Sequence, residues 1–197
     1  MDSSHLIKNI FADTITVATN VRDTLSNDIV EISALIFSRL MNGNKIMACG
    51  NGGSAGDSQH FASELVNRFE INRNELAGLA LTTDSSTITS IANDYGYDEI
   101  FSKQISALGK KHDILLAITT SGNSINIHRA IEQAHKKDIT VILLTGKNGG
   151  IASKALKQGD REIRVPSSST ARIQEIHLVI IHCICSLIEN NMVEKNE

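Results

Sequence analysis

The 197-residue chain has no tryptophan, one proline and three cysteines, and aromatic residues make up only 4% of it. The shortage of aromatics excludes a stacking platform for single-stranded nucleic acid, and a net charge of −3 offers no general attraction to a phosphate backbone. Cys49, Cys183 and Cys185 are an odd number without metal-site spacing, which is typical of a reducing compartment. We therefore expect a cytoplasmic protein without a nucleic acid partner.

The sequence also lacks long hydrophobic runs. No continuous run approaches the roughly 20 apolar residues that a membrane-spanning helix needs. Residues 1–14 include an early acid and no continuous apolar core, so they do not resemble a secretory signal. Hydrophobic residues make up 41% of the chain, which is enough for one packed α/β core at this length. We therefore expect no membrane partner.

Apolar residues at helical spacing predict two helices before the first strand, over residues 4–24 and 26–41. From Lys45 onward, short apolar runs alternate with helical patterns, which is typical of a parallel sheet flanked by helices on both faces. We expect an N-terminal helical pair over residues 1–43 and an α/β domain over residues 44–197. The pair either caps its own sheet or docks on a partner subunit. The five predicted strands cover residues 46–49, 76–81, 113–118, 139–145 and 162–165.

A glycine-rich turn at residues 50–54 links the first predicted strand to a helical pattern. Unpaired backbone N–H groups and the helix dipole make such a turn a binding site for anions. The turn fits G-x-G-x-x-A, but the second predicted strand ends in Thr82 and Thr83, without the acid of a dinucleotide site. No Gly-Lys-Ser/Thr follows, so a P-loop is excluded as well. We therefore predict a site for a simpler phosphate or a sugar.

Four hydroxyl side chains follow the third predicted strand and precede the next helix. They belong to Thr119, Thr120, Ser121 and Ser124. Together with the N–H groups of the helix, they can surround a phosphate monoester without a lysine. Ordinary helix capping by Ser124 is the alternative, but one cap needs only one hydroxyl. We therefore predict that this Ser/Thr loop holds a phosphate.

His60 and Glu64 lie four residues apart after the glycine-rich turn, and this spacing brings them together on one helix face. The last predicted helix carries Gln174, His177 and His182. A histidine on an apolar helical face is more often a buried core residue than a ligand, and both histidines carry that alternative. An imidazole beside a carboxylate, near a phosphate site, indicates chemistry on a phosphorylated small molecule.

Four segments together resemble the phosphoheptose isomerases, which are sugar-isomerase (SIS) domain enzymes. The segments are CGNGGSAGDSQHFASEL, TTDSSTITSIANDYGYDEIFSKQ, ITTSGNS and VPSSSTARIQEIHLVIIHCI. The resemblance extends over about residues 5–192 and implies a five-stranded SIS fold of the flavodoxin or Rossmann type. It also implies conversion of sedoheptulose 7-phosphate to D-glycero-D-manno-heptose 7-phosphate, the first step of ADP-heptose supply for lipopolysaccharide core. The implied assembly is a homotetramer with active sites at subunit interfaces.

The same resemblance implies one zinc ion per subunit, with ligands at His60, Glu64, Gln174 and His182. We expect Glu64 and His182 to form the acid/base pair. Some family members have an aspartate where this chain has Ala171, so one substrate contact is missing here or supplied otherwise. The implied substrate contacts are Asn51, Gly52, Gly53, Ser54, Glu64, Asn93, Asp94, Thr119, Thr120, Ser121, Ser124 and Gln174.

The spacing of Gln174 and His182 bears on how the site is assembled. The two residues are eight positions apart, which is roughly 12 Å along one helix and about 80° around it. Side chains on a helix lean toward its N-terminus, so these two do not converge easily on one ion. We therefore predict that two copies of the helix contribute and that the site crosses a subunit interface.

Two other functions remain as hypotheses. An SIS protein of the DiaA type shares the glycine-rich loop, the Ser/Thr loop and the RIQE helix, and it binds the bacterial replication initiator without known isomerase activity. In that type the Glu64 position is apolar and the His182 position is an amide. This chain keeps both residues, which favours the enzyme. The third hypothesis is an isomerase or sensor for another sugar phosphate, such as an amino sugar.

Overall fold

The computed structural model describes residues 2–196, with side chains for 2–193, and contains one five-stranded sheet between layers of helices. The strands are β1 (Ile46–Gly50), β2 (Gly78–Ala80), β3 (Ile114–Ile118), β4 (Thr140–Gly146) and β5 (Arg161–Val165). The helices are α1 (Ser3–Met41), α2 (Gly53–Val66), α3 (Ser85–Tyr95), α4 (Ile100–Leu108), α5 (Ile125–Lys136), α6 (Gly150–Lys154) and α7 (Thr170–Asn196), with a 3-10 turn at Tyr97–Glu99. The predicted α/β class is confirmed, and each strand boundary lies within two residues of the prediction.

The strand order creates a crevice at the carboxyl ends of β1 and β3. All neighbouring strands are parallel, in the order β2-β1-β3-β4-β5. The chain leaves β1 toward β2 on one side and later returns to β3 on the other side, so the loops after β1 and β3 diverge. The ends of these strands are aligned, with Gly50 beside Ile118. Doubly wound sheets of this order bind ligands in that crevice.

The sheet is buried on both faces, which explains its continuous apolar strands. Successive side chains of β1 point to opposite faces. Ile46 and Ala48 join a core with α1, α2 and α7, whereas Met47 and Cys49 join a second core with α4 and α5. This layering fixes α2 and α7 on the same face of the sheet, where the two helices contact each other.

The predicted N-terminal helical pair is wrong, because α1 is one uninterrupted helix of 39 residues. Residues 24–26, where the two predicted helices adjoin, include no glycine or proline that would end a helix. Their hydroxyl groups instead bond back to carbonyl oxygens one turn earlier. Thr24 donates to the carbonyl of Asn20 at 2.8 Å, and Ser26 donates to that of Arg22 at 2.5 Å.

The two halves of α1 have different surroundings. The C-terminal half caps its own sheet and packs on α7, with buried side chains at Val21, Ile29, Ile32, Ile36 and Leu40. The N-terminal half carries exposed apolar side chains at Leu6, Ile7, Ile10, Phe11 and Ile15. Packing against the protein's own sheet therefore explains the apolar residues in only the C-terminal half of this helix.

Helix α7 is unusually apolar. Thr170–Val193 is long and apolar enough to cross a membrane by length and composition, with a mean hydropathy of 1.5 in its most apolar stretch. The expectation that no segment approaches such a span was therefore too strict. Ile173, Ile176 and Ile180 are buried against the sheet, and a core helix of an α/β fold has this same composition. The packing of α7 thus accounts for its hydropathy.

Candidate active site

A small cavity lies between the loops that follow β1 and β3. It has a volume of about 100 Å³. Since about 10–15 Å³ of such space holds one water molecule, the cavity is large enough for a phosphate group. The two loops that the sequence predicted as phosphate sites thus lie side by side. The lining residues are Asn51, Ser54, Ile118, Thr119, Thr120, Ser121 and Ser124.

The hydroxyl groups of the Ser/Thr loop keep their donors available. Ser124 is the N-cap residue of α5, but its side chain makes no capping hydrogen bond. Thr119 Oγ1 accepts from the backbone N–H of Gly122 and Ser121 Oγ accepts from that of Asn123, both at 3.2 Å. A hydroxyl that accepts one bond still has its own O–H to donate. The loop therefore presents several O–H donors to an anion, which ordinary capping does not explain.

Asn51 braces the glycine-rich loop through its side-chain amide. Its Nδ2 donates to Asn126 Oδ1 at 2.9 Å, and its Oδ1 accepts from Asn126 Nδ2 at 2.8 Å and from the Tyr97 hydroxyl at 3.1 Å. These bonds fill both acceptor positions of Oδ1 and use one N–H of Nδ2, so the second N–H of Nδ2 and the backbone of Asn51 are left to face a ligand. The sequence analysis missed Asn126 and Tyr97, because both lie far along the chain and outside the loop motifs.

The structure does not bring every predicted substrate contact into the cavity. Asn93 and Asp94 lie near the end of α3 and are exposed. Asn93 Nδ2 donates to Asp94 Oδ1 at 2.9 Å, and neither residue lines the cavity between the two loops. Gly52 and Gly53 flank the cavity at the N-terminus of α2, where Gly52 has a φ of 57°.

His60, Glu64 and His182 form a second polar cluster, farther along α2. His60 Nε2 lies 2.8 Å from His182 Nε2 on α7 and 3.6 Å from Glu64 Oε1. The predicted pairing of His60 and Glu64 on one helix face is confirmed. The sequence left open that both histidines of the last helix are buried core residues. This alternative is wrong for His182, whose ring is only half-buried, and right for His177, which is fully buried.

Gln174 does not join this cluster within the chain. Its amide lies against Gly53, where an added Cβ would overlap it. Gly53 and His60 are seven residues apart on α2, which is roughly 10 Å along the helix. Gln174 thus contacts the beginning of α2, and His182 contacts its middle. The predicted failure of Gln174 and His182 to converge within one chain is what the structure shows.

Comparison with known proteins identifies the family. The family model for the SIS domain matches residues 11–146. The phosphoheptose isomerase of Shewanella sp. (strain ANA-3) is 54% identical over 191 residues, which are 97% of each chain. The chain belongs to the phosphoheptose isomerases. The resemblance that the four sequence segments indicated is thereby confirmed.

Solved phosphoheptose isomerase structures share the whole fold. The enzyme from Francisella tularensis has a TM-score of 0.94 and 44% identity, with coverage of 96% of this chain and 100% of its own. The enzyme from Neisseria gonorrhoeae has a TM-score of 0.90 and 45% identity, with coverage of 95% of this chain and 98% of its own. The SIS fold is therefore established from α1 to α7.

The zinc ligands that the phosphoheptose isomerase resemblance implies fit the chemistry of this cluster in part. Two imidazoles and a carboxylate are common zinc ligands. In a tetrahedral site with Zn–N distances of about 2.0–2.1 Å, two nitrogens lie about 3.3 Å apart. The observed 2.8 Å between His60 and His182 would therefore have to open slightly. Within residues 2–193, no three His, Cys, Asp or Glu side chains are placed so that together they could hold a metal ion.

Asp57 is a polar residue near Gln174 that the sequence analysis did not single out. It lines a cavity of about 350 Å³ with Ala171, Gln174, Glu175 and Leu178. The residue is 8% exposed, and its Oδ2 has no hydrogen-bond partner among the described residues. Burial raises the pKa of this carboxyl, and the nearby His60 partly opposes that effect. Ala171, where some relatives have an aspartate, faces the same cavity.

Proposed function

We propose that the protein interconverts sedoheptulose 7-phosphate and D-glycero-D-manno-heptose 7-phosphate, at the start of ADP-heptose supply for lipopolysaccharide core. The observation that carries this proposal is the cluster in which His60 and Glu64, on the helix that begins at the phosphate-sized cavity, meet His182 of α7. A relative with 54% identity bears the name phosphoheptose isomerase, and the chain keeps the acid and the imidazole that the reaction needs.

The reaction moves protons between adjacent atoms. From ketose to aldose, C1 loses a proton and C2 gains one, while O1 loses a proton and O2 gains one. An acid/base pair beside C1 and C2 can carry these transfers through an enediolate. In our proposal Glu64 and His182 are that pair, and the Ser/Thr loop holds the 7-phosphate and fixes the position of the sugar.

Zinc belongs to the proposal as a cofactor, one ion per subunit. His60, Glu64, Gln174 and His182 would hold it. When bound, it would supply Lewis acidity toward the sugar oxygens. Its support is that His60 lies 2.8 Å from His182 and 3.6 Å from Glu64, and imidazole and carboxylate are ligand types that zinc takes. Since Gln174 lies apart from this group, we propose that the glutamine comes from another copy of the chain.

Distances within one protomer support the same assembly. Ser54 at the phosphate cavity and Glu64 are ten residues apart on α2, which is about 15 Å along the helix. The six C–C bonds of a heptose, each about 1.5 Å, span at most about 8 Å. The carbon chain of the sugar alone does not cover this distance within one protomer. We propose a homotetramer in which each active site takes these groups from different subunits.

The first test is turnover of sedoheptulose 7-phosphate by purified protein, before and after chelation and with zinc restored. Turnover that falls on chelation and returns with zinc supports both the isomerase and the metal. Turnover that ignores the chelator keeps the isomerase and refutes the metal role. No turnover by assembled, zinc-loaded protein refutes the isomerase, and a pull-down with the replication initiator then tests the DiaA type.

The second test is complementation between inactive chains. Glu64→Gln removes the acid/base group, and Ser121→Ala with Ser124→Ala weakens the phosphate loop. If sites combine two subunits, co-expression of both chains restores about a quarter of the wild-type activity, because random mixing gives that share of intact sites. A co-expressed sample as inactive as its parents would refute the shared site.

We also propose a cytoplasmic location. Its support is that the cysteines at positions 49, 183 and 185 are free thiols, as expected in a reducing compartment. Cys49 and Cys185 are buried, and burial raises the pKa of the Cys185 thiol to about 12.

A further inference from the structure

The segment between α2 and β2 is fastened to α7 by one buried carboxylate. Glu189 is 3% exposed. Its Oε1 accepts from the backbone N–H of Phe69 at 2.8 Å, and its Oε2 accepts from those of Glu70 and Ile71 at 2.9 and 3.0 Å. These bonds and a nearby guanidinium lower the pKa of the Glu189 carboxyl, against the opposing effect of burial. The carboxylate is therefore charged and fixes three consecutive backbone groups.

Arg73 completes this arrangement from the other side. Its Nε lies 3.2 Å from Glu189 Oε1, and both side chains are 4% exposed. Its Nη1 donates to the carbonyl of Leu65 at 3.0 Å, and its Nη2 donates to the carbonyl of Glu64. These carbonyls belong to the last turn of α2, where intrahelical partners are missing. Arg73 therefore caps the turn of α2 that carries Glu64.

Phe69 extends the same arrangement to His182. Its ring centroid lies 5.4 Å from that of His182, with the ring planes at 33°. The backbone N–H of Phe69 is held by Glu189. Glu189 follows His182 by seven residues on α7, which places both on one helix face. One ion pair thus holds Glu64 through the backbone of α2 and His182 through an aromatic ring.

We propose that Glu189, Arg73 and Phe69 are positioning residues for the acid/base pair. None of them is proposed to touch the substrate. A displacement of about 1 Å at reacting groups can lower a rate about a hundredfold, so loss of this support lowers kcat more than it changes KM. This inference rests on the proposed isomerase function, since that function assigns the reaction to Glu64 and His182.

The test compares four variants of the full-length, assembled protein with the wild type in turnover of sedoheptulose 7-phosphate. Glu189→Gln removes the charge, and Phe69→Leu removes the ring but keeps apolar volume. We expect each to lower kcat at least tenfold and to change KM less than threefold. Phe69→Tyr keeps the ring and restores kcat to within threefold of the wild type. This rescue separates ring placement from general stability.

Asp113→Asn is the matched control. Asp113 is 1% exposed and accepts from the backbone N–H groups of Lys45 and Lys110 at 3.0 and 2.8 Å, directly before β3 at the amino ends of the strands, opposite the site. This variant removes the same kind of charged anchor away from the site. We expect it to lower the melting temperature and to leave kcat within twofold of the wild type. A Glu189→Gln protein that behaves in the same way would overturn the inference.

A readout without turnover keeps the inference separate from the proposed function. Acylation of the His182 ring by diethyl pyrocarbonate, followed by mass spectrometry, reports how firmly the ring is held. We expect faster acylation in Glu189→Gln and Phe69→Leu, and unchanged rates in Phe69→Tyr and Asp113→Asn. Equal rates in all variants refute the positioning role. An inactive wild type with these rate differences refutes the isomerase and leaves the positioning of His182 supported. If Glu189→Gln does not fold, the two Phe69 variants decide.

Discussion

His177 should make the protein less stable as the solution is acidified. Its ring is fully buried on α7, and Nε2 lies 2.9 Å from the carbonyl oxygen of Thr145, to which it donates. Nδ1 has no partner among the described residues. A charged imidazolium would be costly in this surrounding. Burial accordingly lowers the pKa of His177 from 6.5 to about 4, although the bond to Thr145 acts in the opposite direction.

The sign and the size of the effect follow from linkage. The unfolded chain binds a proton at His177 below about pH 6.5, whereas the folded chain binds it only below about pH 4. The unfolded state therefore holds more protons in this window, and the free energy of unfolding rises with pH across it. The stability is fully present above pH 6.5 and is lost as the pH falls to about 4. At about 1.4 kcal/mol per pH unit, the loss is about 3 kcal/mol.

Urea unfolding of the wild type and of His177→Gln at several pH values measures this effect. Glutamine does not titrate, and its side-chain N–H can replace the donor to Thr145. Both proteins share all other titrating groups, so the difference between their free energies of unfolding isolates His177. The protein concentration is held constant, because assembly contributes to stability. We expect the wild type to lose about 3 kcal/mol more than the variant between pH 7 and pH 4. Parallel pH profiles would refute the reasoning.

Four further substitutions test the two loops of the phosphate cavity and the start of α2. Gly53→Ala should lower turnover, because its Cβ would displace the amide of Gln174, a proposed zinc ligand. Gly56→Ala on the same helix meets no atom of the described residues within 4 Å, so it should keep turnover and gain up to about 1 kcal/mol in the free energy of unfolding by urea. Gly122→Ala should lower the free energy of unfolding by about 1–3 kcal/mol or more and should raise KM. Its φ is 70°, and its Cβ would overlap the backbone of the β4–α6 loop. Ser124→Ala should raise KM. It should lower the free energy of unfolding by less than the ~1 kcal/mol expected for a lost helix cap, because the Ser124 hydroxyl makes no capping bond. An unchanged KM would show that Ser124 is not part of the phosphate site.

The sheet could be predicted from the sequence because every strand is buried on both faces. A strand such as Ile114–Ile118 then appears as a short apolar run between helical patterns. The error in α1 has the opposite cause. The prediction divided the helix between Thr24 and Ser26, but the hydroxyls of both residues bond to the helix itself. A polar stretch therefore ends a helix only when its side chains or a glycine offer the backbone another conformation.

The loops of the candidate site were also predictable, since their residues follow directly after strand ends that the topology brings together. The supporting contacts were not. Asn51 is braced by Asn126, 75 residues away, and Phe69 is held by Glu189, 120 residues away. No local sequence pattern marks either pair, because an amide or a carboxylate can bond to any buried partner that the packing of helices brings near. Such residues become visible only once α2 and α7 are placed.

The length of α2 leads to a last prediction about which carboxylate takes part in the reaction. If the site lay within one protomer, the nearest α2 carboxylate to the phosphate cavity would be Asp57, three residues after Ser54 and about 5 Å along the helix. Asp57→Asn would then abolish turnover, and Glu64→Gln would not. In a shared site the order is reversed, because Glu64 pairs with His60 beside the partner's phosphate loop. We expect Glu64→Gln to lower kcat at least a hundredfold and Asp57→Asn to lower it less. A Glu64→Gln protein with near wild-type turnover would refute both the acid/base assignment and the division of the site between subunits.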